Sequence, residues 1–227
     1  MSSSESNKII FYAAAGCPFV QRAEIAFKEI DLEHERVEID LANKPSWYKN
    51  INPETKVPAV TVAGKNIAES LIIIELANDL KSEKGLMPDD PTKRAQIRFA
   101  IEHYSSKIIS TWANYMRNFK DGDRQSYIDT LEAAYSRLNE LLLEQAPSGP
   151  YFLGTEYSLA DIAIAPFVAR IAAINYAFMD GLELEAVKTH SRLQEFIKGC
   201  TSRPSFQETY TGDNAFVEGV KAKLGLQ

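Results

Sequence analysis

Apolar positions in this chain repeat with more than one period. Lys8 to Tyr12 is a short β-leaning run, Ala13 to Gly16 reads as a loop, and Pro18 stands where a helix begins, a position proline tolerates. From Phe19 onward, Ala23, Ala26, Phe27 and Ile30 recur at helical spacing, leaving Arg22, Lys28 and Glu29 for solvent. Glu35 to Ile39 reads as a second strand, Asn43 to Lys49 as a short polar helix or turn, and Asn52-Pro53 as a break. Val60–Val62 and Asn66–Ile67, joined through Ala63-Gly64-Lys65, predict a hairpin. Ser70 then caps a helix that carries Ile73, Leu76, Ala77 and Leu80 on one face.

That order is βαβ followed by ββα, and right-handed crossovers leave few small open sheets compatible with it. A thioredoxin-like domain over residues 1–80 is one of them. Residues 81–91 (KSEKGLMPDDP) are charged and carry Gly and Pro, the composition of an interdomain linker. Residues 92–227 are predicted to be all helical. Ile97, Ile101, Tyr104 and Ile108 share a face, as do Tyr127, Leu131, Ala134, Leu138 and Leu141. Ser158-Leu-Ala-Asp161 has the form of a capping box opening a helix through Ile162, Phe167 and Ile171, with Pro166 inside it. Phe216, Val220 and Leu224 predict a last short helix. The serine-rich first six residues are expected to be disordered.

Composition narrows the function classes. The chain has 227 residues, 45% hydrophobic and 25% charged, enough for a real core, and its net charge of −6 comes without a dense Lys/Arg tract. Nucleic acid is therefore not expected as a partner. Cys17 and Cys200 are the only cysteines, a usage that suits a reducing compartment and excludes a disulfide framework. The apolar stretch Ile9 to Val20 contains Pro18 and passes into a helical pattern, unlike a secretory signal. No segment is read as reaching the ~20 apolar residues of a membrane span, so the expectation is no membrane and a cytoplasmic location.

Cys17 carries the most chemistry. It lies between a strand end and a helix start, where unpaired N–H groups and the helix dipole favour an anion, so the position suits a thiolate. Arg22, about 140° around the helix from Cys17, is discounted as a helper. Position 20, where a redox partner would stand, is Val, so a Cys17 adduct must be released by another thiol, most simply a small soluble one such as glutathione. Cys200 reads as a small buried hydrophobe, and a buried core thiol is the bland reading of Cys17 as well. Val57-Pro58 could present backbone groups to a peptide-like thiol, although the base rate of X–Pro bonds favours an ordinary trans turn. Glu69-Ser70 stands where a strand gives way to a helix, able to receive a ligand's ammonium and carboxylate, or simply to cap. Lys44 could meet a second carboxylate, though a lone lysine is usually surface. His34, His103 and His190 share no ligand spacing, so no metal site is expected.

At these residues the chain resembles the soluble glutathione transferases, most of all the cysteine-type members of the omega class and the plant lambda class. Cys17-Pro18-Phe19 is similar to the omega active-site motif and Asn43-Lys44-Pro45-Ser46-Trp47 to its lysine-containing segment. Val57-Pro58 with Glu69-Ser70 resembles the glutathione-holding elements, Leu86 to Pro91 the linker, and Ser158 to Asp161 the capping box of the helical domain. The resemblance implies a thioredoxin-like domain followed by an all-helical one, a homodimer, and a cis bond before Pro58. It also implies roles: a mixed disulfide of glutathione on Cys17, Phe19 beside it, Val57 and Pro58 at the cysteinyl backbone, Glu69 and Ser70 at the γ-glutamyl end, and Lys44 at the glycyl carboxylate. Tyr104 and Arg170 align loosely with the substrate pocket; their bland readings are a core-edge tyrosine and a surface arginine. Thr55-Lys56 replaces the glycine-containing turn usual before Val57.

The function expected is a glutathione-dependent thiol transferase or reductase acting on a small-molecule or glutathionylated substrate, with glutathione as co-substrate and no metal. A conjugating transferase is the nearest alternative, though that chemistry calls for Ser or Tyr at the position of Cys17. A carrier of apolar small molecules in the aromatic-rich helical part is a third reading, and a purely structural module the last.

Overall fold

In the computed structural model, which describes residues 8–226, the first apolar run forms strand β1 (Ile10–Ala13) and leads into helix α1 (Pro18–Glu29), with Pro18 in its first turn. The serine-rich start lies outside the described residues. Strands β2 (Glu35–Glu38), β3 (Ala59–Val62) and β4 (Lys65–Ala68) complete a sheet ordered β2-β1-β3-β4. β1 and β2 are parallel, and β3 is antiparallel to β1 and β4. Successive β1 side chains leave opposite faces. Phe11 meets Phe27 of α1, with ring centroids 5.1 Å apart, and Tyr12 meets Tyr48 of a 3-10 turn, Ser46–Asn50, at 5.7 Å. Both faces are covered, so the central strand reads as continuously apolar. The edge strand β2 is charged, with Arg36 paired to Glu24 and Glu38, a composition that discourages further strand pairing.

Helix α2 (Ser70–Leu80) packs beside α1, burying Ile73, Ile74 and Ala77 and leaving Leu80 and Ile72 largely exposed. Its cap is Glu69 rather than Ser70, which is the first helical residue. These elements, up to Gly85, form one compact unit with Ser205–Thr211. That late segment lies along α1: Ser205 Oγ donates to Glu29, Lys28 Nζ to Glu208 at 2.9 Å, and Gln21 Nε2 to Thr209 Oγ1 at 3.2 Å and the Phe206 carbonyl at 3.4 Å. It explains why Gln21 is buried. This is the thioredoxin-like part of the fold.

The second unit, Leu86–Pro204 with Gly212 onward, is helical. Asp90 caps α3 (Pro91–His103), accepting from the Thr92 N–H at 2.7 Å. A π turn at Tyr104–Ile109 joins α3 to α4 (Ser110–Arg117). Ile97, Ile101, Tyr104 and Ile108 stay buried through it, so their regular spacing hides the inserted turn. α5 (Arg124–Gln145) buries Tyr127, Leu131, Ala134, Leu138 and Leu141, the face its period predicts. The tyrosines are cross-braces: Tyr104 and Tyr135 hydroxyls meet at 3.1 Å, Tyr115 stacks on Tyr127 at 4.2 Å, and the Tyr127 hydroxyl donates to Asn175 Oδ1 at 2.7 Å.

α6 (Leu159–Phe178) is the core helix, opened by the Ser158–Asp161 capping box and continuing through Pro166. Its 20 residues are long and apolar enough to cross a membrane, which corrects the expectation that no segment reaches that composition. In the folded protein 78% of its most apolar window is buried, so the same composition serves packing. α7 (Glu185–Thr189), α8 (Ser191–Ser202), α9 (Pro204–Gln207) and α10 (Asp213–Leu224) follow. α10 is the last helix that Phe216, Val220 and Leu224 predict.

Candidate functional site

Cys17 is the N-cap of α1. Its N–H donates to the Ala14 carbonyl at 3.3 Å, its carbonyl accepts from the Gln21 N–H at 3.0 Å, and its side chain is not used to cap the helix. The residue is partly exposed, and the first turn of α1 carries no acid to offset the positive end of the dipole. The turn before it is fixed from two sides. The Ala15 N–H donates to Glu38 Oε1 at 2.6 Å, and Gly16 takes φ +75°, with Thr211 Oγ1 3.7 Å from where a β-carbon would stand.

Strand register decides what joins Cys17. Tyr12 pairs with Ala59, and Ala59 with Ala68. One step further places Pro58 at the level of Ala13 and Glu69. The turn bearing Cys17, Val57-Pro58 and Glu69-Ser70 therefore gather at one end of the sheet. Lys44 follows β2, which is parallel to β1, and so belongs to a loop leaving the same end; it is exposed.

The Val57–Pro58 bond is cis. The preceding carbonyl, of Lys56, accepts from the Tyr48 hydroxyl at 2.8 Å and Asn52 Nδ2 at 2.9 Å, which fixes the plane of the next peptide. Among the described residues none donates to the Val57 carbonyl or accepts from its N–H. A backbone pair without internal partners beside a thiol is the feature a peptide-like ligand needs. Thr55 stands at φ +54° in the turn before it, the left-handed region a glycine would occupy at no cost. Glu69 is also left-handed, at φ +71°, and exposed, while Ser70 is buried at the first turn of α2 with the helix's leading N–H groups beside it.

Arg22 departs from the sequence reading. It is 3% exposed, not solvent-facing, because α1 packs beside α2 and the side chain runs between them. Its Nη1 donates to Ser70 Oγ at 3.3 Å, and its guanidinium lies 5.6 Å from the centroid of the Phe19 ring, itself 41% exposed. A helical wheel of α1 alone puts Arg22 outside; only the second helix turns that side inward.

Tyr104 and Arg170 belong to the other unit. Tyr104 is fully buried against Tyr135, which places it in the core rather than on a pocket wall. Arg170 is no surface arginine: it is fully buried, Nη1 donates to the Pro166 carbonyl at 2.7 Å, and its guanidinium lies 5.2 Å from the Phe216 ring centroid. Cys200 is likewise buried, with its S–H donating to Asp161 Oδ1 at 3.6 Å. Burial, with the Asp161 carboxyl beside it, holds that thiol well above the ordinary range. Neither cysteine is in a disulfide. Among the described residues no cluster of His, Cys, Asp and Glu is arranged to hold a metal ion.

Comparison with known proteins bears out the fold. The glutathione S-transferase N-terminal domain model matches residues 11–85 and the C-terminal domain model residues 112–199. Protein IN2-1 homolog B of Oryza sativa subsp. indica is 32% identical over 223 residues, 95% of this chain and 85% of that protein. Glutathione S-transferase L3 of Arabidopsis thaliana is 30% identical over 217 residues, 94% of this chain and 86% of that protein. The crystal structure of glutathione transferase Omega 1C from Trametes versicolor superposes with a TM-score of 0.81 at 33% identity, covering 96% of this chain and 97% of that one. Matched in both domains and along nearly its whole length, the chain belongs to the glutathione S-transferase family, with omega-class enzymes among its structural neighbours.

Proposed function

We propose that this glutathione transferase works as a thiol transferase or reductase through Cys17. In the first step the Cys17 thiolate attacks a glutathionyl disulfide, one S–S bond breaks as another forms, and the displaced thiol leaves as its thiolate. A second glutathione then attacks the mixed disulfide, freeing Cys17 and leaving as oxidised glutathione. The observation that carries the reading is Cys17 at a helix N-cap with no second thiol able to close a disulfide on it. Val20 stands where a partner would, and Cys200 is a buried, protonated hydrogen-bond donor.

The residues around Cys17 fit a γ-glutamyl tripeptide. The Val57 N–H and carbonyl would pair with the cysteinyl backbone, with Pro58 holding their direction. Ser70 and the leading N–H groups of α2 would take the γ-glutamyl carboxylate and Glu69 its ammonium. Lys44 would take the glycyl carboxylate, and the exposed Phe19 ring would flank the sulfur. Tyr104 and Arg170 would act on substrate only from behind the surface, given their burial. A homodimer in the cytoplasm, taking small-molecule or glutathionylated substrates, completes the proposal. Glutathione conjugation and carriage of apolar ligands are the alternatives it displaces.

Intact mass after incubation with oxidised glutathione tests it. One glutathionyl adduct, removed by excess reduced glutathione and lost in Cys17→Ser, is the expected result. Full thiol-transfer activity in Cys17→Ser overturns the proposal, and an unmodified protein that still binds glutathione turns it toward conjugation.

A further inference from the structure

The N-termini of α1 and α2 are the two anion-favouring ends of the first unit, one carrying Cys17 and the other Ser70. Arg22 lies between the two helices with a permanent charge, 3% exposed, and its Nη1 donates to Ser70 Oγ at 3.3 Å. A hydroxyl held as an acceptor by a guanidinium points its own hydrogen elsewhere and donates more strongly to an acceptor placed there. The leading N–H groups of α2 point toward the same place. A buried guanidinium acts at short range through a medium less screening than water.

From this juxtaposition we infer that Arg22 is a specificity-determining positioning residue: acting through Ser70, it makes the first unit select thiols and disulfides that carry a carboxylate at the γ-glutamyl end over neutral ones of similar reactivity. The inference rests on the proposed glutathione chemistry of Cys17 and names the residue that sets the choice of co-substrate. Its charge reaches the ligand carboxylate through the Ser70 hydroxyl.

The experiment compares two disulfides on the full-length protein. Rates of Cys17 adduct formation with oxidised glutathione and with the uncharged 2-hydroxyethyl disulfide are followed by intact mass for wild type, Arg22→Met and Arg22→Lys. Arg22→Met, which removes a hydrogen bond made by a charged group, is expected to slow the glutathione reaction roughly 10- to 100-fold relative to the neutral disulfide. Arg22→Lys, which keeps the charge, restores most of that ratio. Ser70→Ala, which removes the relay without emptying the space between the helices, lowers the ratio in the same direction and serves if Arg22→Met does not fold. Equal slowing of both disulfides, or no slowing of either, reduces Arg22 to a structural brace and overturns the inference while leaving Cys17 chemistry intact. A wild-type protein that forms no Cys17 adduct with oxidised glutathione overturns both.

Discussion

Replacing Asp161 with alanine should destabilise the helical unit by an amount that grows as the pH falls. The Asp161 carboxyl is fully buried and accepts from the Phe152 N–H at 2.7 Å, the Ser158 N–H at 2.7 Å, the Ser158 hydroxyl at 2.8 Å and the Cys200 S–H at 3.6 Å. Alanine leaves at least two backbone N–H groups buried without an acceptor, at about 1–3 kcal/mol each, or roughly 2–6 kcal/mol together. Burial, working against those four donors, pushes the carboxyl up from 3.8 to about 6. At about 1.36 kcal/mol per pH unit, keeping Asp161 ionised in the folded state costs about 3 kcal/mol. Because the folded value lies above the unfolded one, the stability Asp161 contributes is complete below about pH 3.8 and is lost as the pH rises through 6. Near pH 7 the net effect of the substitution therefore lies between about −1 and 3 kcal/mol, and near pH 4.5 it costs about 2 kcal/mol more than that. Urea unfolding followed by far-UV circular dichroism, on wild type and Asp161→Ala at both pH values, measures the difference. A penalty that stays constant or shrinks on acidification would refute the reasoning, because it would mean the four donors outweigh burial and hold the carboxyl ionised.

Two other substitutions test packing and binding. A β-carbon on Gly199 would stand 2.1 Å from the Pro150 carbonyl oxygen and 2.5 Å from Pro150 Cβ, so Gly199→Ala must move backbone. The expected loss is at least about 2 kcal/mol in urea unfolding, and an unchanged midpoint would show that α8 can shift without cost. Lys44 is exposed, so Lys44→Ala should weaken glutathione binding by about two- to fivefold in low-salt calorimetry, and by less at high salt. A larger loss that persists at high salt would mean that Lys44 is desolvated when the ligand binds.

Local patterns along the chain carried much of this architecture. The strand-loop-helix entry at Cys17, the hairpin around Gly64 and the capping box at Ser158 each depend on residues within a few positions of one another, and each forms where its pattern predicts. The amphipathic faces of α3 and α5 were legible for the same reason, since a helix repeats its buried side every few residues. The π turn at Tyr104–Ile109 was not legible, because an inserted residue leaves the set of buried side chains nearly unchanged. Thr55, the left-handed residue before Val57, announces itself only as the absence of a glycine.

The sequence by itself singled out the candidate residues: a lone cysteine ahead of a helical proline, a Val-Pro turn and a Glu-Ser pair at a strand-to-helix junction. Only the tertiary structure decided which of them meet and which charges turn inward. The antiparallel register of β3 brings Val57 and Glu69 to the end of β1 that bears Cys17, a relation between residues some fifty positions apart that no local period encodes. The packing of α2 on α1 turns Arg22 from a solvent-facing position into a buried charge at Ser70, and the return of Ser205–Thr211 buries Gln21 in the same way. Burial is a property of the neighbours a side chain acquires. A one-dimensional pattern reports the face a helix offers, and the partners that arrive from elsewhere in the chain decide whether that face stays in water.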